Sequence, residues 1–234
     1  MNYPWPISLL LILIVAALAE IIAVALRRLA EIQAAKKSVV ALSVGSLIAW
    51  LLLMALSAAS GFFRNFQTLP PRFALMLVPP LLAIVLLSAA RPVRQFLFAA
   101  PESWLIAYQV YRVPLEIVLW LLYDARLIPV QMTFEGRNFD IVAALTALPI
   151  AYFCCVRQSW PRVVAMLWNV LGFVLVVNVA TTGILSAPTP FRVFMNEPAN
   201  TFIADFPYVW IPSFLVPLAL FGHVMSLLQL LKKR

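Results

Sequence analysis

Apolar residues recur along this chain in runs too long for a soluble element, parted by links where charge, proline and aromatic residues collect. Seven runs stand out: Ile7–Leu26, Val39–Ser60, Phe73–Ala90, Trp104–Tyr123, Phe139–Val156, Val163–Thr182 and Tyr208–Leu231. A helix rises about 1.5 Å per residue, so about 20 residues cross the hydrocarbon core. Barrel strands would instead show ~10-residue alternating segments. The pattern predicts an all-α fold, a polytopic membrane bundle of seven transmembrane helices forming one domain over residues 1–234. Composition agrees: 64% of residues are hydrophobic, only 11% are charged and the mean hydropathy is +0.98. A soluble domain carries about 25% charged residues.

The fourth run breaks the apolar pattern most sharply. It carries Arg112 and Glu116 near its middle with Pro114 between them. An ionised group at that depth costs roughly 2.5–3.5 kcal/mol on insertion scales. Residues four apart share a helix face, so Arg112 and Glu116 are expected to pair. Tyr108 extends that face, with Gln109 beside it, and Pro114 leaves the Val110 carbonyl without its amide partner. This run therefore belongs inside the bundle, its polar face against protein or water.

Charge in the links sets the expected orientation. Arg27, Arg28, Lys36, Lys37, Arg91, Arg94, Arg157, Arg162, Lys232, Lys233 and Arg234 all fall on one side of a seven-span chain. Arg64, Arg72, Arg126, Arg137 and Arg192 fall on the other, offset by Asp124, Glu135, Asp140, Glu197 and Asp205. This bias puts the N-terminus outside and the C-terminus in the cytoplasm of a bacterial-type inner membrane. It also reads the net charge of +8 as topology rather than nucleic-acid binding. The residues MNYPWP lack the positive region of a cleavable signal, so none is expected. The outer links combine proline, aromatics and paired charges and are expected to form ordered caps at the headgroup level.

An internal repeat is a further candidate. Ile14–Leu18 recurs as Ile141–Leu145, and at the same offset of 127 Gly45 meets Gly172, Pro71 meets Pro198 and Pro80 meets Pro207. Runs one to three would then match five to seven, a parallel 3+1+3 arrangement of a kind transporters use. Pro79–Pro80 and the prolines at 207, 212 and 217 interrupt corresponding runs, the usual pointer to a midplane site.

Depth along each run sorts the polar residues into layers. Arg112, Glu116, Tyr108, Gln109 and Asn178 are the candidate substrate-binding or gating residues. Glu20 and His223 fall in an inner layer as a candidate proton-handling pair, since histidine changes charge near neutral pH. Glu135, Arg137, Asn138 and Asp140 form a candidate outer cap. Each also has a packing role open to it, as ion pair, interhelical hydrogen bond or local cap. One histidine and the adjacent Cys154 and Cys155 make no metal site or disulfide framework, and no phosphate loop is present, so no cofactor is expected.

Three function classes fit. The first is a carrier or channel-like protein for a small polar solute or ion. The second is a non-catalytic membrane subunit or assembly factor that docks a protein partner through its outer loops. The third is a membrane enzyme using Glu116, Glu135 or Asp140 on a lipid-like substrate. The bilayer is a partner in all three, and nucleic acid in none.

Overall fold

The computed structural model describes residues 3–68 and 70–232; Lys233 and Arg234 of the basic tail lie outside the described residues. The described chain is all-helical. Its helices are α1 (Trp5–Ile32), α2 (Lys37–Ala59), α3 (Ala74–Ala89), α4 (Arg91–Leu97), α5 (Glu102–Asp124), α6 (Asp140–Val156), α7 (Arg162–Ser186) and α8 (Ile211–Lys232). Five of them, α1, α2, α5, α7 and α8, are long and apolar enough to cross a membrane. A sixth arises if α3 and α4, bent by 84° at their junction, count as one span. The fifth run of the sequence becomes α6, a shorter apolar helix.

Local chemistry explains the breaks. Proline cannot donate to the helix ladder, and neighbouring 3₁₀ or π turns absorb the defect. One turn ahead of Pro114, α5 tightens into a 3₁₀ segment over Tyr108–Tyr111. After Pro149, α6 widens into a π turn over Ala151–Val156, and α8 opens with another over Ile211–Leu215, around Pro212. The sharpest bend is not at Pro79–Pro80, which stay inside α3, but at Ala90, whose backbone is extended. Pro92 then sits in the first turn of α4, where its missing amide costs nothing.

The interior is built around α5 and α8. On α1 the buried residues Ile7, Leu11, Ile14, Val15 and Leu18 recur at helical spacing and pack on α5, while α2 packs on α1 and is tied to the start of α8, where Trp50 Nε1 donates to the Ser213 carbonyl. On α7 the buried face runs Ala165, Trp168, Asn169, Gly172, Val176 and Val179, against α8. The opposite faces are apolar and exposed, including Leu42, Leu52 and Leu56 on α2, Leu82 and Leu86 on α3, and Leu167 and Val174 on α7. So much exposed apolar surface is out of place on a soluble monomer and suggests a membrane protein.

Candidate functional site

Several buried polar residues of the interior converge on Arg112. It lies next to the middle of the 23-residue α5 and is 1% exposed. Its Nε is 3.3 Å from Asp140 Oδ2, at the start of α6. Its Nη1 is 3.0 Å from His223 Nε2, on α8. Guanidinium only donates, so Nε2 of His223 accepts and the ring proton lies on Nδ1. That nitrogen faces Asn169 Oδ1 on α7 at 3.1 Å. Asn169 Nδ2 in turn donates to Ser226 Oγ at 2.9 Å. Glu116, one turn beyond Arg112 and also 1% exposed, accepts at both carboxylate oxygens from Asn138 Nδ2, at 2.8 and 2.9 Å. Asn138 Oδ1 accepts from the Asp140 amide. A continuous polar chain thus runs from Glu116 through Asn138, Asp140, Arg112, His223 and Asn169 to Ser226, joining α5, α6, α7 and α8.

The expected Arg112–Glu116 pair is therefore replaced. Both side chains line one chamber, as the four-residue spacing requires. The turn before α6, however, inserts Asn138 and Asp140 into the bundle, and these capture Glu116 and Arg112 separately. Asn138 and Asp140 are buried, whereas Glu135 and Arg137 of the same turn are exposed. Glu135 accepts from Trp120 Nε1, and Arg137 lies over the Phe194 ring. The turn is thus not the self-contained cap expected from its charges.

Glu20 does not meet His223. Two residues past the buried Leu18, it projects away from the packed face of α1, is exposed and lies 3.9 Å from Arg27. Asn178 does not reach Glu116; its amide donates to the Arg137 carbonyl. Tyr108 and Gln109 donate to the Leu218 and Ala219 carbonyls of α8 and so tie α5 to α8, outside the chamber.

The chamber holds about 70 Å³ and is walled by apolar side chains of α3, α5, α7 and α8, with Arg112, Glu116, Asn138 and Asp140 at its edge. That is space for about two waters, each taking ~30 Å³ in the liquid. Asp140 Oδ1 and Arg112 Nη2 are buried without a hydrogen-bond partner, and so is Arg112 Nε, whose contact with Asp140 is an ion pair. Among the described residues no group of three or more His, Cys, Asp or Glu side chains could hold a metal ion.

Glycines allow this packing, and sequence reasoning passed over them. A Cβ on Gly172 would overlap the His223 ring, and one on Gly222 would overlap the Tyr108 hydroxyl. In the turn before α6, Gly136 lies against the backbone of Val130 and Gln131, with only 2.6 Å between an added Cβ and Gln131 Cα. Gly172 and Gly222, inside apolar runs, mark such close approach, whereas Gly45 has nothing within 4 Å.

The outer links carry their own ion pairs. Asp205 accepts from Arg64 Nε at 2.7 Å and from the Tyr3 hydroxyl at 2.9 Å. Arg192 pairs with Glu197 at 3.0 Å. The hydrogen bond from Arg192, then that from the Ala199 amide, hold the Glu197 carboxyl below its ordinary range. Beside the Arg64–Asp205 pair lies an open cleft of about 790 Å³, lined also by Phe66, Gln67, Pro188 and Thr201.

No curated protein and no solved structure matches this chain. A family match covers residues 70–231, well over half of the 234 residues, and takes in the whole polar chain from Arg112 to Ser226 while leaving out α1 and α2. The chain belongs to the family described as a domain of unknown function, DUF8737.

Proposed function

We propose that this chain is a multi-pass membrane carrier or channel-like protein for a small polar solute or ion, and that its site is the cluster of Arg112, Asp140 and Glu116. One observation carries the reading: the charged side chains Arg112, Glu116 and Asp140 lie buried beside a small chamber, inside a bundle whose exposed helix faces are largely apolar. Packing alone does not call for them, because buried ion pairs can often be replaced by apolar residues at no loss of stability. Intramembrane ionisable residues that face a bundle interior usually mark a solute or proton path. The polar chain to Ser226 extends such a path toward the opposite face.

In this reading the bundle makes seven crossings, with α3 and α6 counted, and the basic end of each helix faces the cytoplasm of a bacterial-type inner membrane. The 3+1+3 repeat belongs to the same proposal. It would align α1–α3 with α6–α8 about a central α5, the helix that carries Arg112.

The test is flux into proteoliposomes, read as osmotic swelling in a panel of small polar solutes and as internal pH by an entrapped dye. Wild-type protein is expected to conduct at least one of them. Glu116→Gln and Asp140→Asn are expected to lose at least tenfold of that flux. Gly45→Ala, at an exposed site on α2 with nothing within 4 Å of the added methyl, is the control and should keep it. A wild-type protein inert in both assays, or variants that conduct as well as wild type, would remove the proposal.

A second reading, a membrane subunit that docks a protein partner, draws on the outer cleft beside Arg64 and Asp205. Stable co-purification of one partner, lost in Arg64→Ala, together with no flux by the isolated protein, would favour it.

A further inference from the structure

We propose that α4 is an interfacial helix that binds the headgroups of acidic phospholipids. The helix is too short to cross anything: it has seven residues, and the 84° turn at Ala90 swings it off the axis of α3 and across the end of the bundle. Its two faces differ. Arg91, Arg94 and Gln95, at spacings of three and four, share one side, and Arg91 and Gln95 are exposed. Val93, Phe96 and Leu97 share the other and are half-buried. Such a helix lies with its apolar side in the acyl boundary and its basic side among the headgroups.

Independent tethers hold it there. Gln33, just past the end of α1, donates to the Phe96 carbonyl at 2.7 Å. Gln229 of α8 donates to the Phe98 and Ala100 carbonyls, and the Lys232 ammonium lies 5.2 Å from the Phe98 ring centre. The C-terminal end of α4 is thus fastened through backbone carbonyls and a ring, which leaves the arginines outside the fastening. Lys232, against the Phe98 ring, adds to the same basic rim. Phosphate-bearing acidic headgroups are the chemistry that complements this rim. Each basic side chain near an acidic leaflet contributes about fivefold in affinity.

The experiment uses the full chain in detergent, with bound lipids counted by native mass spectrometry during titration with phosphatidylglycerol or phosphatidylcholine. Wild type is expected to prefer phosphatidylglycerol. Arg91→Gln/Arg94→Gln should reduce that preference roughly 25-fold, for two charges at about fivefold each. Its thermal unfolding should be unchanged, because the tethers do not pass through either arginine. Arg157→Gln, at the foot of α6, should keep the wild-type preference. Equal binding of the two lipids by wild type, or full preference in the double variant, would overturn the proposal. So would an equal loss in Arg157→Gln, which would reduce the effect to net charge.

Discussion

Arg112→Ala should lower the stability of the detergent-solubilised protein by about 3–5 kcal/mol, read as a fall in the midpoint of thermal or denaturant unfolding. The side chain is 1% exposed and is the only cation within salt-bridge distance of Asp140 among the described residues. Its removal leaves two carboxylates, Asp140 and Glu116, in an apolar interior with no compensating charge. It also takes away the donor to His223 Nε2. The cost comes from the uncompensated ions rather than from lost attraction, so relieving the charge should relieve the cost. Asp140→Asn in the Arg112→Ala background should recover a large part of the loss. If Arg112→Ala unfolds like wild type, the guanidinium is not buried as described here.

Gly136→Ala should cost about 3 kcal/mol, the upper end of the usual range for overpacking. The added methyl would meet backbone, the Val130 carbonyl and Gln131 Cα, and backbone cannot rotate away as a side chain can. The same turn delivers Asn138 to Glu116 and Asp140 to Arg112. The variant should therefore lose flux together with stability. Gly172→Ala should be milder in stability, because the His223 ring is a side chain able to shift, but the shift would part it from Arg112. Unfolding midpoints of the two variants, measured side by side, check the ranking. Equal and small effects would show that the turn is looser than its contacts imply.

The all-helical character and five of the long apolar helices were legible in the sequence because hydrophobic length is a strong signal. Each expected run coincides with a helix, and the run centred on Arg112 is among the most enclosed. The run over Phe139–Val156 was harder, since a helix of that length lies near the limit of what can cross a bilayer. Partner choice inside the bundle was not readable. Spacing along one helix placed Arg112 and Glu116 on one face, which is correct, but it could not show that the next turn in the chain supplies Asn138 and Asp140 between them. Layering by depth paired Glu20 with His223 and failed for a related reason. Depth gives the height of a residue along the membrane normal and says nothing of its direction around the helix. The buried stripe of Leu11, Ile14, Val15 and Leu18 fixes that direction and points Glu20 outward. Combining depth with each helix's apolar phase would have separated the two.

The cluster also differs in kind from the ion pairs of the outer links. Arg64 and Arg192 reach carboxylates across solvated loops, where such pairs contribute little and weaken with salt. Arg112 and Asp140 are 1% and 4% exposed, so bulk solvent screens them little. Their mutual dependence should therefore be large and insensitive to salt.

A double-mutant cycle between Arg112→Gln and Asp140→Asn, read by unfolding in detergent, measures that dependence directly. The account predicts a coupling of about 2 kcal/mol or more, exceeding that of the Arg112–Glu116 cycle. Effects that add within about 0.5 kcal/mol would contradict it.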